Sequence, residues 1–362
     1  MRGLWVCSPG AAGLYTPDAL RIVDMRTDTL TMPSPDMRRA MANAELGDDV
    51  FGEDPTVNRL QDVAAEMFDK ETALFVSSGT MGNLLGLLVN ARHGEELIAD
   101  ADSHVFLAEA GGAAALGGIQ IMPVRTEGGI MEPEQVAQAI RPEDQHYPRT
   151  AAVTFENTHN RHGGIAWPLT ALRAASQQAR DGGIAVHIDG ARIFNAAIAV
   201  KADVKDLAAC ADTLSFCLSK GLGAPAGSIL IGPDAKIAEA RRWRKMLGGG
   251  MRQIGMLAAA GLYALDHMVD RLAEDHANAK TLAEGLAEIK GITLDLWRVQ
   301  TNLVIFEVNG ITRAGFLDEC WKRGLRADAS GRTHVRFVTR YGIDAEDVQC
   351  ALQVVSEVLG AG

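Results

Sequence analysis

Between residues 60 and 270, short apolar runs alternate with stretches in which apolar positions recur every three or four residues. The runs have the length of buried strands, and the stretches between them have the period of helices. This alternation predicts a mostly parallel, doubly wound α/β sheet with helices on both faces. The predicted strands lie at 72–76, 96–99, 119–123, 151–155, 184–188, 213–217 and 228–231, and predicted helices at 82–90, 133–140, 169–181 and 237–245.

The pattern changes after the last of these strands. An alanine-rich apolar stripe over 252–289 predicts one long helix that links the sheet to a second region. The shorter periodic segments that follow predict a small α+β unit, and they lie at 301–308, 315–323 and 334–339.

These boundaries predict two domains. The large one covers 21–270 and begins with an N-terminal arm at 21–58, and the smaller C-terminal one covers 271–362. Residues 1–20 are mildly apolar, contain two prolines and lack both a proper basic start and an unbroken apolar core. We therefore expect a poorly ordered extension there rather than a signal peptide.

Composition excludes several classes of protein. The 362 residues are 47% hydrophobic and 22% charged, which is ordinary for a globular protein, and no apolar stretch is long enough to span a membrane. A net charge of −11 argues against nucleic acid as a partner. The odd number of scattered cysteines, without a C-x-x-C pair, indicates a reduced cytoplasmic protein with no thiolate metal site: Cys7, Cys210, Cys217, Cys320 and Cys350.

Two ionisable residues follow neighbouring apolar runs. Asp189 lies in Val-His-Ile-Asp-Gly-Ala-Arg, and Lys220 lies 31 positions later in Ser-Phe-Cys-Leu-Ser-Lys-Gly. A lysine amine forms the Schiff base with pyridoxal 5'-phosphate, and a carboxylate keeps the ring nitrogen protonated so that the ring can accept electrons. Because ligands of doubly wound sheets bind beyond the carboxyl ends of the strands, the pair predicts a pyridoxal phosphate site there.

A small-residue turn precedes the first predicted helix of the sheet. Ser78, Gly79 and Thr80 follow a predicted strand, and backbone N–H groups at such a helix start can bind a phosphate. The same residue types also form an ordinary helix cap. The Asp189–Lys220 pair favours the phosphate site.

Three further residues are candidates for proton transfer or substrate contact. His104 follows the strand at 96–99, where an imidazole can stack on a flat ring and accept a proton, or simply cap a helix. Glu109, a candidate for substrate binding, either hydrogen-bonds nearby water or faces solvent. His146 is a candidate second base or a surface loop residue.

Polar residues also follow the strand at 151–155. The segment Glu-Asn-Thr-His-Asn (156–160) suits hydrogen bonding to a cofactor oxygen, and also suits a turn. The spacing of His159 and His162 resembles that of metal ligands, but no carboxylate or cysteine lies at ligand spacing in the sequence. We therefore expect no metal site there.

Several arginines are candidate anion ligands. Arg192 and Arg336 can clamp a substrate carboxylate, and Arg252, after a run of three glycines, can contact a neighbouring subunit. The basic run at 241–245 is expected to be a solvated helix face rather than a nucleic-acid patch, because the chain is acidic.

From about residue 22 to the C-terminal helix, the chain resembles the L-threonine aldolases of low specificity, a fold-type-I family of pyridoxal phosphate enzymes. Seven motifs carry the resemblance: Asp-Met-Arg-Thr-Asp-Thr (24–29), Gly-Asp-Asp-Val-Phe-Gly-Glu-Asp-Pro-Thr (47–56), Ser-Gly-Thr-Met-Gly-Asn (78–83), Glu-Asn-Thr-His-Asn (156–160), His-Ile-Asp-Gly-Ala-Arg-Ile-Phe-Asn-Ala (187–196), Cys-Leu-Ser-Lys-Gly-Leu-Gly-Ala-Pro (217–225) and Lys-Met-Leu-Gly-Gly-Gly-Met-Arg-Gln (245–253).

The resemblance implies roles for the candidates. Lys220 holds the cofactor, Asp189 pairs with its ring nitrogen, and His104 and Ala191 lie against opposite faces of the ring. The phosphate belongs to Ser78, Gly79 and Thr80, with Arg252 reaching the phosphate of a partner subunit, and the substrate carboxylate to Thr27, Arg192 and Arg336. Dimers, or tetramers of two dimers with the active site at the subunit interface, are also implied.

Two positions depart from the family pattern. Position 27 is usually Ser and is Thr27 here, so the hydroxyl remains and a methyl group is added. Position 51 is usually Tyr and is Phe51 here, so any hydrogen bond from that hydroxyl is lost. The implied reaction is cleavage of β-hydroxy-α-amino acids such as L-threonine and L-allo-threonine. The alternative is another fold-type-I enzyme, a β-eliminating lyase or an aminotransferase.

Overall fold

The computed structural model describes residues 21–360. The extension predicted at 1–20 lies outside these residues. Strands are numbered in chain order: β1 (Val23–Asp24), β2 (Thr72–Val76), β3 (Glu96–Asp100), β4 (Gln120–Val124), β5 (Thr150–Glu156), β6 (Ala185–Asp189), β7 (Thr213–Cys217), β8 (Ser228–Gly232), β9 (Ile292–Thr293), β10 (Leu303–Val308), β11 (Leu325–Arg326), β12 (Asp328–Ser330) and β13 (His334–Val338).

Helices are numbered in the same way: α1 (Pro35–Ala42), α2 (Pro55–Met67), α3 (Gly79–Leu88), α4 (His104–Leu107), α5 (Gly112–Gly117), α6 (Pro133–Ala139), α7 (Leu169–Asp181), α8 (Ile193–Val200), α9 (Val204–Ala208), α10 (Asp234–Met246), α11 (Gly255–His267), α12 (Leu272–Ala287), α13 (Arg313–Lys322) and α14 (Ala345–Gly360). Within the described chain, no helix has the length and apolarity needed to cross a membrane.

A seven-stranded sheet forms the centre of the large unit, which covers 31–272. Its strand order is β2-β8-β7-β6-β5-β3-β4, and only β8 runs antiparallel to its neighbours. The prediction of a mostly parallel doubly wound sheet is confirmed. The parallel strands place the chain segments that follow β3, β5, β6 and β7 at one edge of the sheet.

Two apolar layers cover the sheet because successive side chains of a strand point to opposite faces. In β3, Ile98 packs into the larger cluster with α2, α6, α7 and α11, whereas Leu97 and Ala99 pack into the smaller cluster with α3, α5 and α10. Helices on both faces explain why the central strands of the sheet are mostly apolar and buried.

The small unit contains residues 21–30 together with 273–360. Its antiparallel sheet has the order β12-β13-β10-β9 and packs with α12, α13 and α14 around one apolar core. The segment 21–30 belongs here, and not with the rest of the predicted arm, because β1 pairs in parallel with β11 and buries Val23 and Met25 in this core.

The prediction of one long helix over 252–289 is wrong. Helix α11 ends at His267, and α12 begins at Leu272 after a turn. The apolar stripe continues across the break, but its residues change core: Ala258 and Ala264 pack in the large unit, whereas Leu282 and Leu286 pack in the small one. A continuous stripe in sequence therefore does not require a continuous helix.

Candidate active site

The carboxyl edge of the large sheet collects the reactive side chains. Asp189 is the last residue of β6, where it pairs with Glu156 on one side and Ser215 on the other. Lys220 follows the adjacent strand β7 by three residues and is half-buried in a turn closed by a bond from the Gly223 N–H to its own carbonyl, at 2.9 Å. Neighbouring parallel strands thus bring the two residues to the same edge.

Asp189 is a buried carboxylate with neutral partners. Its Oδ2 accepts a hydrogen bond from Asn83 Nδ2 at 2.8 Å, and its Oδ1 accepts one from the Ala191 backbone N–H at 3.1 Å. Only 3% of the residue is exposed. Among the described residues, no arginine or lysine forms an ion pair with it. Because a buried charge needs a partner, this carboxylate suits a protonated ring nitrogen.

His104 is held in a defined orientation. Its backbone N–H donates to Glu156 Oε2 at 2.6 Å, and its Nδ1 lies 2.8 Å from Glu109 Oε1. A ring nitrogen of His104 and carboxylate oxygens of Glu109 and Asp189 lie within 4.8 Å of one another. The hydrogen bond to Glu109 raises the pKa of His104; burial opposes this effect, and the negative charge of Asp189 adds to it.

One of the two alternatives for Glu109, that it faces solvent, is wrong. It is 7% exposed, and its Oε1 also accepts a hydrogen bond from Asn83 Nδ2 at 2.8 Å. Burial raises the pKa of Glu109, and the charge of nearby Asp189 acts in the same direction. The residue therefore acts on His104, to which it is directly bonded.

Asn83 connects these groups, and sequence reasoning assigned it no role. Its amide N–H₂ supplies one bond to Asp189 and one to Glu109, and its Oδ1 accepts from the Ser215 hydroxyl at 2.6 Å. The one sequence signal was a polar side chain within the otherwise small or apolar stretch of α3 that follows Thr80. Such a buried amide must have hydrogen-bonding partners nearby.

His187 completes the buried network behind Asp189. Burial lowers the pKa of His187 to about 4, so the ring is neutral near pH 7. We assign the ring proton to Nε2, because Nε2 faces Asn83 Oδ1 at 3.4 Å and this amide oxygen can only accept a hydrogen bond. Nδ1 then accepts from the Thr213 hydroxyl at 2.9 Å. A Cβ on Gly86 would lie 2.2 Å from the ring, so glycine at 86 makes room for this histidine.

The start of α3 forms the predicted anion site at the same edge. Ser78 caps the ten-residue helix by accepting from the Met81 N–H at 3.2 Å, and Ser78 and Thr80 are exposed. The first N–H groups of a helix have no intrahelical partner and are available to a phosphate. Glycine is needed at 79 because a Cβ there would lie 2.8 Å from Cys217 Sγ.

Arg192 lies beside these groups, whereas Thr27 and Arg336 belong to the small unit. Arg192 follows Ala191 at the start of α8, is 7% exposed and donates from Nη1 to Asn160 Oδ1 at 3.1 Å. In the small unit, Arg336 Nη2 donates to the Arg26 carbonyl at 3.2 Å, next to Thr27 in sequence.

Three residues singled out in the sequence are exposed, and one of them lies away from this edge. His146 precedes β5 and therefore lies at the opposite end of that strand; its side chain is 76% exposed, and its Nδ1 lies 2.7 Å from Asp144 Oδ1. The structure does not bring it to Lys220 within one chain. Arg252 is exposed and donates to Asp48 Oδ2 at 2.9 Å, and Phe51 is 74% exposed.

The basic run at 241–245 is not wholly a solvated helix face. Arg244 is buried, and it donates from Nη2 to Asp49 Oδ2 at 2.6 Å and from Nη1 to the Phe75 carbonyl at 2.7 Å. The side chain of Asp49 is 1% exposed. Through these two contacts, Arg244 connects the segment around Asp49 to β2, the strand that precedes Ser78.

Replacing Arg244 by Met keeps an unbranched chain but leaves the Asp49 charge buried without its cation. We expect the free energy of unfolding to fall by about 3 kcal/mol, measured from the midpoint of urea unfolding. The matched control is Arg241→Met on the same helix, where the guanidinium is partly exposed and 3.9 Å from Asp49 Oδ1. In Arg241→Met the free energy of unfolding should fall by less than about 1 kcal/mol. Equal effects for both variants would contradict the assignment.

Comparisons with known proteins agree with this geometry. The family model described as beta-eliminating lyase matches residues 24–309. The low specificity L-threonine aldolase of Escherichia coli K12 is 46% identical over 329 residues, which cover 90% of this chain and 96% of that protein. Low-specificity L-threonine aldolase 1 of Arabidopsis thaliana is 40% identical over 347 residues, covering 94% and 97%.

Solved structures support the same architecture. The threonine aldolase of Leishmania major superposes with a TM-score of 0.80 at 20% identity, over 92% of this chain and 98% of that one. Serine palmitoyltransferase of Sphingomonas wittichii superposes with a TM-score of 0.77 at 18% identity, over 94% and 88%. The predicted fold-type-I architecture is confirmed, and the chain belongs to the beta-eliminating lyase family and, within it, to the L-threonine aldolases.

Proposed function

We infer that this protein is a low-specificity L-threonine aldolase. It cleaves the Cα–Cβ bond of L-threonine, L-allo-threonine and related β-hydroxy-α-amino acids to glycine and an aldehyde, reversibly and with pyridoxal 5'-phosphate. The observation that carries this inference is the buried Asp189 carboxylate, whose hydrogen-bond donors are all neutral. Asp189 ends β6, and Lys220 follows the adjacent strand β7. The sequence relatives named for this activity support it.

The residues at the sheet edge fit the cofactor. Lys220 binds it covalently, Asp189 holds the proton on its ring nitrogen, and the start of α3 at Ser78, Gly79 and Thr80 binds its phosphate. When bound, the cofactor supplies an electron sink for the pair of electrons released as Cα–Cβ breaks. The family resemblance assigns Ala191 and His104 to the two faces of the ring, and Arg192, Arg336 and Thr27 would bind the substrate carboxylate.

His104, directly or through a water molecule, is the preferred base for the β-hydroxyl proton. With Glu109 as the carboxylate acceptor, we assign the ring proton of neutral His104 to Nδ1, which leaves the lone pair on Nε2. Nε2 then accepts the proton as the hydroxyl becomes the carbonyl of the departing aldehyde. A proton then takes the place of Cβ on Cα, which balances the proton removed from the hydroxyl, and glycine is released. His146, placed at the far end of β5, is the alternate base and would have to come from another subunit.

Replacing His104 by Asn should slow cleavage about 100-fold with the cofactor still bound, because general-base catalysis is lost. The rate of the native enzyme should rise with pH through the His104 pKa, since only the unprotonated ring accepts a proton. That pKa lies above its ordinary value of 6.5. A pH–rate profile should therefore lose its acidic limb in His104→Asn, and an unchanged rate would remove His104 from the base role.

Glu109→Gln provides the companion test of the pH profile. The hydrogen bond to Glu109 is the largest influence that raises the pKa of His104. A neutral amide acceptor weakens this bond and removes the negative charge, which should move the acidic limb of the profile to lower pH while the limb itself remains. If the acidic limb of Glu109→Gln stays at the same pH as in the native enzyme, a group other than His104 is responsible for it.

The oligomer and location are also proposed. A dimer, or a tetramer of two dimers, with active sites at the subunit interface is supported by exposed apolar side chains near Arg252, including Val50, Phe51 and Met246. In such an assembly Arg252 reaches the phosphate bound by the partner subunit. The cytoplasm is the proposed location, and it is supported by the buried free thiols of Cys210, Cys217 and Cys320.

The direct test combines the absorption spectrum of the purified protein with aldehyde release from L-allo-threonine and L-threonine. Bound cofactor and aldehyde from both isomers support a low-specificity aldolase. Cofactor without aldehyde would move the reaction to β-elimination, measured as keto-acid release from cysteine, or to transamination. A protein that cannot be loaded with pyridoxal phosphate would overturn the proposal.

A further inference from the structure

A second cluster of ionisable side chains lies at the same sheet edge, next to the candidate active site. Asp100 ends β3, His159 follows β5 by three residues, and His162 follows three residues later. Because β3 and β5 are paired in parallel, their carboxyl ends bring a D-x-D segment and an H-x-x-H segment together. Strand pairing thus supplies the carboxylate that sequence spacing did not show.

The three groups are close enough to share one ion. A carboxylate oxygen of Asp100 and a ring nitrogen of each histidine lie within 4.8 Å of one another. His159 Nε2 is 3.0 Å from Asp100 Oδ1, and His162 Nε2 is 4.0 Å from the same oxygen. Tetrahedral ligands at zinc lie about 3.3 Å apart, so shifts of less than about 1 Å would complete the set.

Burial and charge favour a cation at this position. Asp100 is 5% exposed and His159 is 0% exposed. Two more carboxylates face the cluster: Asp102 Oδ2 lies 3.7 Å from His162 Nε2, and Glu156 Oε2 lies 3.9 Å from His159 Nε2. The local charge is therefore negative, and Asp102, more than half exposed, can serve as a fourth ligand at the rim.

The neighbours of the cluster hold its members in position. The Thr126 hydroxyl donates to Asp100 Oδ2 at 2.5 Å, and the Asp102 N–H donates to Asp100 Oδ1 at 2.8 Å. The His159 backbone is tied on both sides, since its N–H donates to the Ile165 carbonyl and its carbonyl accepts from Gly164. A site held in this way loses little conformational freedom when an ion binds.

We propose that Asp100, His159 and His162 form a divalent transition-metal site, with zinc as the best fit to two imidazoles and a carboxylate. None of these three residues is among those assigned to the cofactor, and a bound ion would link the ends of β3 and β5. Glu156 lies between the two centres, because its Oε2 also accepts the His104 backbone N–H at 2.6 Å. A bound ion would therefore stiffen the segment that positions His104.

The test is the metal content of the cofactor-loaded enzyme after exposure to zinc and exhaustive dialysis. We expect about one zinc per chain in the native protein, and a loss of affinity of at least about 100-fold in Asp100→Asn and in His162→Asn. Zinc should also raise the Tm of the native protein by a few degrees and leave that of His162→Asn unchanged. His162 is less buried than His159, so its variant is the safer one for folding.

Two controls separate this site from other histidine–carboxylate pairs. His334→Asn removes an exposed histidine 3.4 Å from Glu307, and His104→Asn removes the histidine of the second cluster that could bind an ion, at the candidate active site. Both variants should keep the zinc. A native protein that holds no more zinc than Asp100→Asn, or a zinc content that falls in His104→Asn instead, would overturn the proposal.

Discussion

Lys220→Ala should abolish cleavage, with a fall in kcat of at least about 10⁴-fold, and should remove the absorption band of the protein-bound cofactor. The reason is the position of Lys220, which is half-buried after β7 at the edge where β6 presents Asp189. Among the described residues, no side chain forms an ion pair with its amine, so the nitrogen is available for the covalent link.

Two further variants make the result specific. Lys220→Arg keeps the positive charge but cannot form the link, and we expect it to fail in the same way as Lys220→Ala. Lys280→Ala removes an exposed lysine of α12 and should leave both activity and spectrum unchanged. A coloured, active Lys220→Ala enzyme would refute the assignment of the cofactor site.

Asp189→Asn should lower kcat by about 10³-fold while the cofactor remains bound. The buried carboxylate is the group that would keep the ring nitrogen protonated, and a neutral amide cannot hold that charge. The substitution also places an N–H₂ group against donors, because both Asp189 oxygens accept hydrogen bonds from Asn83 and Ala191. The rate is measured by aldehyde release, and retention of the cofactor by absorption.

Two comparisons test the chemical reason. Asp212→Asn alters a carboxylate near the opposite end of the same sheet, where it accepts from the Val186 N–H, and should leave kcat within about threefold. Asp189→Ala loaded with a cofactor analogue methylated on the ring nitrogen carries a fixed positive charge and should regain part of the lost rate. A similar fall for Asp212→Asn would indicate a structural effect instead.

The sequence predicted the sheet well because its strands are short apolar runs bounded by polar residues. The strands at 72–76 and 213–217 were predicted to the residue, and the reactive edge followed from the direction of parallel strands. Asp189 and Lys220 could be paired without a structure because each lies within three residues of the end of such a run. Local pattern and strand direction were sufficient for these features.

Contacts between residues distant in sequence could not be predicted in the same way. Asn83 and Asp189 are 106 positions apart, and Arg244 and Asp49 are 195 apart, so no local pattern relates them. The parallel pairing of β3 and β5 also brings Asp100 to His159 beyond their ends, although their spacing in sequence indicated no metal ligand set. The far placement of His146 was within reach of sequence reasoning, because this histidine precedes its strand.

The single amide of Asn83 has a consequence for engineering. Its two protons are divided between the residue assigned to the ring nitrogen, Asp189, and the partner of the proposed base, Glu109. A substitution that redirects either carboxylate therefore changes the bond available to the other. Effects of changes at 83, 109 and 189 should not add, and libraries aimed at the stereochemical preference of this enzyme should vary these three positions jointly.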